Sequence, residues 1–276
     1  MWENNYIFAL EREIALRNES FIMKIVIAPE YEALRGLIEK APAITDGNNC
    51  KVLYNGRNKI VQLEPCEGHT LVVKKYKRHD WFKSIVYTFF KPNKAQRSFE
   101  NARELRRRGF ETPHEAAYIE VKEHGLIIQV YYICAYTAKE PICTELTEKE
   151  PFNRELATAY AQLVASLHDA GILHRDLNST NVNYEKSTDG YTFELIDINR
   201  MNFYKGAVPK AECMENLTLY SEFNEMFKYV LNCYAVARKW TQSDIDKAIK
   251  VKIRHDRNWV RRKKFTRFIK HHILRK

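Results

Sequence analysis

The chain has 276 residues with a formal net charge of +10, and 45% of its residues are hydrophobic. A chain of this length and composition holds two average domains or one larger two-lobed unit, and wholesale disorder is excluded. Its longest apolar runs are too short to cross a bilayer, and residues 1–20 lack the basic start of a signal peptide, so we predict a cytosolic protein.

The predicted elements begin with a helical extension over residues 1–22. Met23 opens the strand-like sequence MKIVIAPEY and is therefore an alternative start of the chain. Residues 51–63 (KVLYNGRNKIVQL) predict a β-hairpin, because two β-rich runs flank the turn dipeptide Asn55-Gly56. One more strand is predicted over residues 69–76 (HTLVVKKY).

A helix over residues 95–108 is predicted next, because the pattern ends at Gly109 with a proline beyond it. Residues 115–121 and 126–134 then predict two strands. Residues 137–152 are polar, contain two prolines and are interpreted as a linker.

The C-terminal half begins with the clearest helical pattern of the chain, over residues 153–170. Asn153 can cap this helix, apolar residues recur at helical spacing, and Gly171 ends it. A loop and a strand follow, and residues 212–276 are predicted to be helical. The order of elements predicts an α+β chain in two lobes, residues 23–134 and residues 135–276.

The stretch that carries chemistry is HRDLNSTN, residues 174–181. It matches H-R-D-L-x-x-x-N, the catalytic loop of protein-kinase-like phosphotransferases. Asp197 follows an apolar strand, at the position of the metal-binding aspartate of D-F-G. Five fixed positions followed by a second, correctly placed aspartate are hard to produce by chance, so a coincidental turn is the weaker interpretation.

The chemistry of phosphate transfer explains why each of these residue types is needed. Transfer of a γ-phosphoryl group needs an oriented acceptor hydroxyl and cations that neutralise the phosphate oxygens. Asp176 can accept the proton of the hydroxyl and orient it. Asn181 and Asp197 offer hard oxygen ligands for Mg²⁺. We therefore predict ATP and Mg²⁺ as cofactors.

The predicted third strand supplies a candidate phosphate-binding lysine. Lys74 ends the run Leu71-Val72-Val73-Lys74, where V-A-I-K is expected. Val72 shares a strand face with Lys74 and is predicted to line the adenine pocket. Lys75 points the other way and is the alternative lysine.

A glutamate on the next helix is expected to hold this lysine. Glu100 and Glu104 lie one turn apart on one face of the predicted helix, and we prefer Glu100. Either residue can instead be a solvated partner of Arg103 or Arg107.

No G-x-G-x-x-G motif precedes the lysine. The turn Asn55-Gly56-Arg57-Asn58 is the one candidate for covering the phosphates, with Gly56 at its centre. An ordinary hairpin turn explains the same residues equally well.

Three features distinguish the chain from ordinary protein kinases. Asn178 directly follows Leu177 in the catalytic loop, the metal motif reads DINR (197–200) in place of D-F-G, and no A-P-E motif follows. With the stretch RRRGFETPHEAAYIE, these features resemble the lipopolysaccharide kinase family, the Kdo and heptose kinases of Gram-negative bacteria. The resemblance covers roughly residues 50–235.

The resemblance implies a bilobal protein-kinase-like fold and ATP- and Mg²⁺-dependent phosphate transfer. The acceptor it implies is a sugar hydroxyl of the lipopolysaccharide core or of Kdo-lipid A, at the cytosolic face of the inner membrane. An atypical protein kinase is the alternative, which the missing A-P-E disfavours. A pseudokinase scaffold is a weaker alternative, because the expected catalytic residues are all present. Arg200 has no assigned role beyond contact with an anionic acceptor or pairing with a nearby carboxylate.

The charge distribution fits a peripheral membrane protein. Residues 251–276 contain eleven Lys or Arg and one Asp, which accounts for the whole excess of +10. Residues 77–97 also mix basic and aromatic residues. Both segments suit an anionic membrane surface, although a solvated helix face also explains the tail. We expect no nucleic-acid partner. The apolar residues concerned are Trp81, Phe82, Phe89, Phe90, Trp259, Phe265, Phe268, Ile269, Ile273 and Leu274, and for Trp259 packing onto the C-terminal lobe is preferred.

Overall fold

A computed structural model of the chain describes residues 12–18, 21–47 and 50–272. The chain divides into two compact units, of which the first ends at Ala138 and the second begins at Lys139. The first unit is rich in strands and the second in helices, as an α+β chain requires. The division lies a few residues beyond the boundary expected after residue 134.

One antiparallel sheet organises the first unit. Its strands are β1 (Arg12–Asn18), β2 (Phe21–Ile27), β3 (Lys51–Asn55), β4 (Lys59–Gln62), β5 (Leu71–Lys75), β6 (Glu115–Glu123) and β7 (Leu126–Ala135). They lie in the order β1-β2-β6-β7-β5-β4-β3. The predicted hairpin is β3–β4, and the predicted later strands are β5, β6 and β7, so these predictions are confirmed.

Helices cover this sheet. They are α1 (Arg35–Asp46), α2 (Trp81–Phe89) and α3 (Lys94–Arg107), with a 3₁₀ helix over Pro29–Leu34. The predicted helix over residues 95–108 corresponds to α3 and is confirmed. The sequence does not predict α1 or α2. The buried residues of α3 form one stripe against the sheet and comprise Ala95, Ser98, Phe99, Ala102 and Leu105.

The prediction of a helical extension over residues 1–22 is wrong for the residues that the structure describes. Residues 12–18 form strand β1, which pairs antiparallel with β2. The edge of β2 offers unpaired backbone groups to the preceding segment, and this tertiary pairing overrides a weak helical pattern. Met23 lies within β2. Residues 1–11 are outside the described residues.

The described part of the second unit contains five α-helices, five strands and a 3₁₀ helix over Ile198–Arg200. They are β8 (Glu140–Pro141), α4 (Cys143–Leu146), α5 (Arg154–Asp169), β9 (Ile172–His174), β10 (Val182–Ser187), β11 (Gly190–Leu195), β12 (Met201–Phe203), α6 (Lys210–Asn216), α7 (Glu225–Ala237) and α8 (Gln242–His272). The predicted helix over residues 153–170 is α5, and the Asn153 side chain caps it by accepting from the backbone N–H of Leu156 at 3.0 Å. The segment interpreted as a linker contains β8 and α4.

Helix α8 carries most of the basic C-terminal segment, and among its described side chains the buried ones lie in its first half. Lys252 is 2% exposed and donates to the carbonyl oxygen of Thr218 at 3.0 Å. From residue 257 to residue 267 every side chain is exposed. Within the described residues, no helix is both long and apolar enough to span a membrane.

The preferred packing of Trp259 onto the C-terminal lobe is wrong. Trp259 is 42% exposed, and the ammonium of Lys263 lies 3.5 Å from its ring centroid. Spacing of one helical turn joins these two side chains on the outer surface of α8. Phe268, Ile269, Ile273 and Leu274 are outside the residues whose side chains the structure describes.

A buried hydrogen-bond chain joins three helices of the second unit to β9. The carbonyl oxygen of His174 can only accept, so Asn216 turns Nδ2 towards it at 2.8 Å and Oδ1 towards Nε2 of His168 at 3.0 Å. Nε2 of His168 therefore carries the proton, and Nδ1 accepts from the Tyr234 hydroxyl at 2.8 Å. This arrangement requires His168 to be neutral.

We expect the chain to lose stability in mild acid because of His168. Burial lowers the pKa of His168 to about 4, below its ordinary value of 6.5. Between these values the unfolded chain binds a proton that the folded chain does not, so the free energy of unfolding falls as the pH drops from 6.5 towards 4. The full loss is about 3 kcal/mol at roughly 1.4 kcal/mol per pKa unit.

Urea unfolding across this pH range measures the slope, with His168→Gln as the comparison. The variant is expected to be less stable at neutral pH but to lose less stability on acidification, because its unfolded chain binds one proton fewer. Parallel pH profiles for the two proteins would contradict this role of His168.

Candidate active site

The HRDLNSTN loop leaves β9 and is held by its own backbone and amide groups. The carbonyl oxygen of Asp176 accepts from the backbone N–H of Asn178 at 2.8 Å and from Nδ2 of Asn181 at 2.8 Å. Leu177, between them, is 1% exposed and anchors the loop in the core. The Asp176 carboxylate itself is 40% exposed. The loop therefore presents a carboxylate whose position is fixed through its main chain.

Asn178 is a second organiser of the loop. Its Oδ1 accepts from the backbone N–H of Thr180 at 2.9 Å and also from the Thr180 hydroxyl. Its Nδ2 lies 3.4 Å from Oδ1 of Asp176. The sequence marks Asn178 only as a family feature, and the structure gives it a local role. An asparagine whose side chain bonds the backbone two residues on is a recognisable turn signal.

His174 joins the loop to the segment that carries Asp197. Its Nδ1 accepts from the backbone N–H of Asp176 at 3.2 Å, so Nε2 carries the proton and donates to the carbonyl oxygen of Ile196 at 3.0 Å. Burial lowers the pKa of His174, which keeps the ring neutral in this tautomer. One imidazole thus fixes Asp176 and the residue before Asp197.

Asp197 follows β11 and adopts the left-handed conformation, with φ of 54° and ψ of 43°. Aspartate tolerates this region better than most residues, and such backbone positions cluster at functional sites. The backbone N–H of Ile196 donates to the carbonyl oxygen of Asn181 at 3.0 Å, so the two candidate metal ligands belong to adjoining segments. Oδ1 of Asp197 accepts from Nδ2 of Asn199 at 2.7 Å.

The donor set fits a magnesium ion. Because Nδ2 of Asn181 is engaged with Asp176, Oδ1 is the amide atom left for a cation, and Asp197 adds a carboxylate. Oδ1 of Asn199 is buried and lacks a hydrogen-bond partner among the described residues. A buried oxygen without a donor costs about 1–3 kcal/mol, so an ion or its bound water at this point would relieve a real penalty.

Two arginines of the motifs lie near these groups but have different partners. Arg175 donates to Glu212 at 2.8 Å, and the Tyr204 hydroxyl donates to the same carboxylate at 2.7 Å. Arg200 places Nη1 at 4.0 Å from Oδ2 of Asp176, and both side chains are substantially exposed. Arg200 therefore puts a cation beside the candidate base.

In the first unit, the two candidate lysines on β5 face opposite ways. Lys75 pairs with Asp46, and its ammonium lies 5.8 Å from the ring centroid of Tyr131. The ammonium of Lys74 lies 5.3 Å from the ring centroid of Tyr76. Val72 is half-buried on the same side of β5 as Lys74. The ion pair thus ties Lys75 to Asp46 of α1, on the side of β5 away from Lys74.

Neither glutamate of α3 is arranged as the sequence predicts. Glu100 is exposed and accepts from Nε2 of Gln96 at 2.8 Å. Glu104 accepts from Arg107 and Arg108 at 2.7 Å each, and these hydrogen bonds lower its pKa to about 2. Both lie opposite the buried stripe of α3, because the helix turns its apolar residues towards the sheet. Glu100 therefore faces away from the sheet, its pairing with Lys74 stays a prediction, and Glu104 adopts the alternative arrangement as a partner of Arg107.

Gly56, Arg57 and Asn58 of the β3–β4 turn line a cavity with Lys75 and Arg78, and a role of this turn in covering phosphates stays a prediction. The backbone N–H of Gly56 donates to the carbonyl oxygen of Asn58 at 3.1 Å, as in an ordinary hairpin. A Cβ at Gly56 would lie 2.3 Å from the hydroxyl oxygen of Tyr54. The neighbouring Tyr54 ring thus accounts for the glycine.

Comparison with known families gives one match over most of the chain. Residues 54–251 match the family described as "Lipopolysaccharide kinase (Kdo/WaaP) family". The chain belongs to the lipopolysaccharide kinase family. It is accordingly an ATP-dependent phosphotransferase, and its family acts on the lipopolysaccharide core. The resemblance seen in the sequence is confirmed.

Solved structures support the same fold. A structure described as WaaP in complex with acyl carrier protein has a TM-score of 0.53 and 18% identity, and the match covers 82% of this chain and 98% of that one. The protein-kinase-like fold is thereby confirmed. Two structures of Rio2 kinase from Chaetomium thermophilum are more distant. The ADP/Mg²⁺-phosphoaspartate complex has a TM-score of 0.43 and 14% identity, covering 84% of this chain and 78% of that chain. The second has a TM-score of 0.43 and 15% identity, covering 85% of this chain and 83% of that chain. No curated protein matches significantly.

Proposed function

We propose that this protein transfers the γ-phosphoryl group of ATP to a sugar hydroxyl of the lipopolysaccharide core, on a Kdo or heptose residue. The observation that supports this most directly is the set of hydrogen bonds that joins the HRDLNSTN loop to the segment carrying Asp197. Asn181 bonds the main chain of Asp176 at 2.8 Å, and His174 bonds both Asp176 and the residue before Asp197. A base and two oxygen ligands are thus held by one network.

The residues of the chain then have distinct tasks. Asp176 takes the proton of the acceptor hydroxyl as that oxygen forms its bond to the γ-phosphorus and the bond from phosphorus to the bridging oxygen of ADP breaks. Lys74 would hold the phosphates of the nucleotide, and Val72 would contact its adenine. Asn181 and Asp197 would hold Mg²⁺, which when bound neutralises charge on the phosphate oxygens.

Arg200 favours an acceptor that carries negative charge. Its guanidinium lies 4.0 Å from the Asp176 carboxylate, which is where the acceptor hydroxyl must bind. A guanidinium with exposed donors suits a carboxylate or phosphate through paired hydrogen bonds. The carboxylate of Kdo or a phosphate on the core would satisfy it. The cation would also offset repulsion between an anionic acceptor and Asp176.

The test is transfer of labelled phosphate from ATP to Kdo-lipid A or to core lipopolysaccharide, beside a generic protein substrate. Label on the glycolipid that disappears in Asp176→Ala would establish a saccharide kinase. Label on protein alone would refute the proposed acceptor in favour of a protein kinase. Mg·ATP binding without transfer to any acceptor would favour the scaffold alternative.

We also propose that the protein works at an anionic membrane surface, the inner face of the cytoplasmic membrane of a Gram-negative bacterium. Helix α2 provides the main support, because its polar side faces inward. Ser84 is 2% exposed, and the Thr88 hydroxyl accepts from the backbone N–H of Ile127 at 2.9 Å. The outward side carries large apolar residues, with exposures of 73% for Trp81, 69% for Phe82 and 67% for Phe89.

Such an arrangement is costly in water. Soluble proteins rarely expose a contiguous cluster of large aromatic residues, and these clusters mark interaction surfaces. Phe90, directly after α2, is 75% exposed and extends the cluster, and Lys91 beside it is also exposed. Aromatic side chains flanked by cations suit the boundary between headgroups and acyl chains. The exposed basic half of α8 adds attraction to anionic lipid.

Replacing Trp81 and Phe82 together by serine is expected to weaken binding to phosphatidylglycerol-containing vesicles about tenfold or more, given roughly 25 cal/mol per Å² of apolar surface removed from water. The thermal midpoint should hardly change, because both side chains are exposed. Val236→Ser is the matched control, since Val236 is 81% exposed on α7.

Co-sedimentation with anionic and with neutral vesicles measures the contribution of the exposed aromatic residues of α2 and that of the basic residues of α8. Equal vesicle binding by the double variant and the wild type would refute α2 as the inserting element. Charge removal at Arg261, Arg262, Lys263 and Lys264 tests α8 without disturbing the buried Lys252. It should affect binding to anionic vesicles only.

A further inference from the structure

The sheet face that carries Lys74 also carries a buried carboxylate, Glu120. Lys74 of β5 pairs with Tyr132 of β7, and Tyr132 pairs with Tyr118 of β6. Directly paired residues point to the same face, and so do residues two apart on one strand. Glu120 therefore shares the face of Lys74. It is 5% exposed.

Helix α3 covers this face and contacts Glu120 at its start. The Phe99 ring meets the Tyr118 ring edge-on at 5.4 Å, and the Tyr76 hydroxyl lies 2.9 Å from Oγ of Ser98. Asn93, which caps α3, donates from Nδ2 to Oε1 of Glu120 at 2.5 Å. Glu120 thus lies between the sheet and the first turn of α3.

Three lysines lie near this region. Lys24 of β2 pairs directly with Glu120 of β6 and therefore shares its face, and two further ammonium groups lie near Tyr76. Nζ of Lys74 lies 5.3 Å from the ring centroid of Tyr76, and Nζ of Lys94 lies 5.8 Å from the same centroid. Lys94 directly follows Asn93, the residue that holds Glu120. The backbone N–H of Tyr76 donates to Val130, which pairs with Glu120 across β6 and β7, so Tyr76 and Glu120 lie in one row of the sheet.

A buried carboxylate needs a cation. The neutral amide of Asn93 cannot compensate the loss of hydration of a carboxylate, whereas a lysine on the same face can. Glu100 and Glu104, the carboxylates that the sequence favours for Lys74, lie on the outer side of α3 with other partners. This leaves Glu120 as the carboxylate placed to organise Lys74.

We infer that Glu120 is the positioning carboxylate for Lys74, the role expected of Glu100, and that Lys94 is a second cation of the same cluster. The inference rests on the proposed phosphotransfer, because it assumes that Lys74 binds nucleotide phosphate. Lys24, Lys74 and Lys94 against one carboxylate leave positive charge for phosphate oxygens. Glu120 acts through Lys74 and does not itself contact the nucleotide.

The decisive variant is Glu120→Gln, which keeps the size of the side chain and an oxygen that can accept from Asn93. We expect its affinity for Mg·ADP, measured by titration calorimetry, to fall about tenfold, because Lys74 loses the negative charge that holds its ammonium in place. KM for ATP should rise with it, and Glu120→Asp should recover part of the loss. Glu123→Gln, on the same strand with a surface partner in Arg78, is the matched control and should bind as the wild type does.

Other outcomes would overturn the inference. Unchanged Mg·ADP affinity in a Glu120→Gln protein with a lowered melting temperature would assign Glu120 to packing alone. If Glu100→Gln lost Mg·ADP affinity and Glu120→Gln did not, Glu100 of α3 would be the positioning carboxylate for Lys74. Should Glu120→Gln not fold, Lys94→Met provides the second test, with an expected loss of several-fold in affinity; unchanged affinity there would remove Lys94 from the cluster and count against the inference.

Nucleotide binding requires no acceptor, so this test is separate from that of the proposed function. A wild-type protein that binds Mg·ADP but labels no glycolipid refutes the acceptor and leaves the role of Glu120 open to measurement.

Discussion

Asp176→Asn is expected to lower the rate of phosphoryl transfer by roughly 10²–10⁴-fold, the range that positioned general bases contribute. The affinity for Mg·ATP should hardly change. The loop is held through the main chain of Asp176, whose carbonyl oxygen accepts from Asn181 and whose N–H donates to His174. An asparagine keeps these bonds and removes only the proton acceptor.

Single-turnover transfer to the glycolipid, with calorimetric binding of a non-hydrolysable ATP analogue, separates the two effects. Asp189→Asn is a matched control, because Asp189 is exposed in the turn between β10 and β11. If rate and nucleotide affinity fell together in Asp176→Asn, the residue would be structuring the nucleotide site and not acting on the acceptor. Full activity would refute the mechanism.

The parts of the fold that follow from sequence are those with a strong local signal. The β3–β4 hairpin has its Asn-Gly turn, and α5 has both a capping asparagine and a regular apolar stripe. Helix α2 has a capping residue in Asp80, but its largest apolar side chains face solvent and its small polar residues face β7. A prediction that places apolar residues in the core would therefore orient this helix the wrong way round. Strand β1 depends on the edge of β2, which a local pattern does not contain.

The site divides in the same way. The catalytic loop is predictable because its chemistry lies within eight consecutive residues, whose mutual distances are limited by the chain itself. Which carboxylate lies near Lys74 depends on which side of α3 packs against the sheet. Glu100 and Glu104 lie one turn apart on the same side of the helix, so their spacing does not show whether that side faces the sheet or solvent. Glu120 was missed because a glutamate in a strand normally faces water. The sequence does contain a signal, since Glu120 directly follows the apolar residues 116–119 and precedes Val121, a nearly continuous apolar run typical of a strand buried on both faces.

The His174 linkage shows why the motif is more than a set of reactive groups. A neutral imidazole with one donor and one acceptor can join the N–H of Asp176 to the carbonyl oxygen of Ile196 only in one tautomer. The same chain of bonds continues through Asn216 to His168. Buried polar networks of this kind are costly unless every group is satisfied, so they specify one conformation of the loop.

Asp197→Asn is expected to shift the requirement for Mg²⁺ to higher concentration and to lower transfer by about 10²-fold or more at limiting Mg²⁺, since even outer-shell partners of metals are worth about 10–100-fold. The substitution removes one negative charge and retains an oxygen for the amide of Asn199, which donates to Oδ1 of Asp197 at 2.7 Å. Raising Mg²⁺ should restore part of the rate. If the activity of Asp197→Asn saturated at the same Mg²⁺ concentration as that of the wild type, Asp197 would not be a ligand of the metal.

Asparagine is the informative choice here because of the backbone. At φ of 54° an alanine would add strain of about 1–2 kcal/mol, whereas asparagine adopts this conformation readily. Asp197→Ala should therefore lose both Mg²⁺ response and thermal stability, and Asp197→Asn should lose the first while keeping the second. Measuring activity against Mg²⁺ and the melting temperature for both variants separates the charge of Asp197 from its conformational role. Equal destabilisation of the two would mean that the carboxylate is needed for folding of this segment.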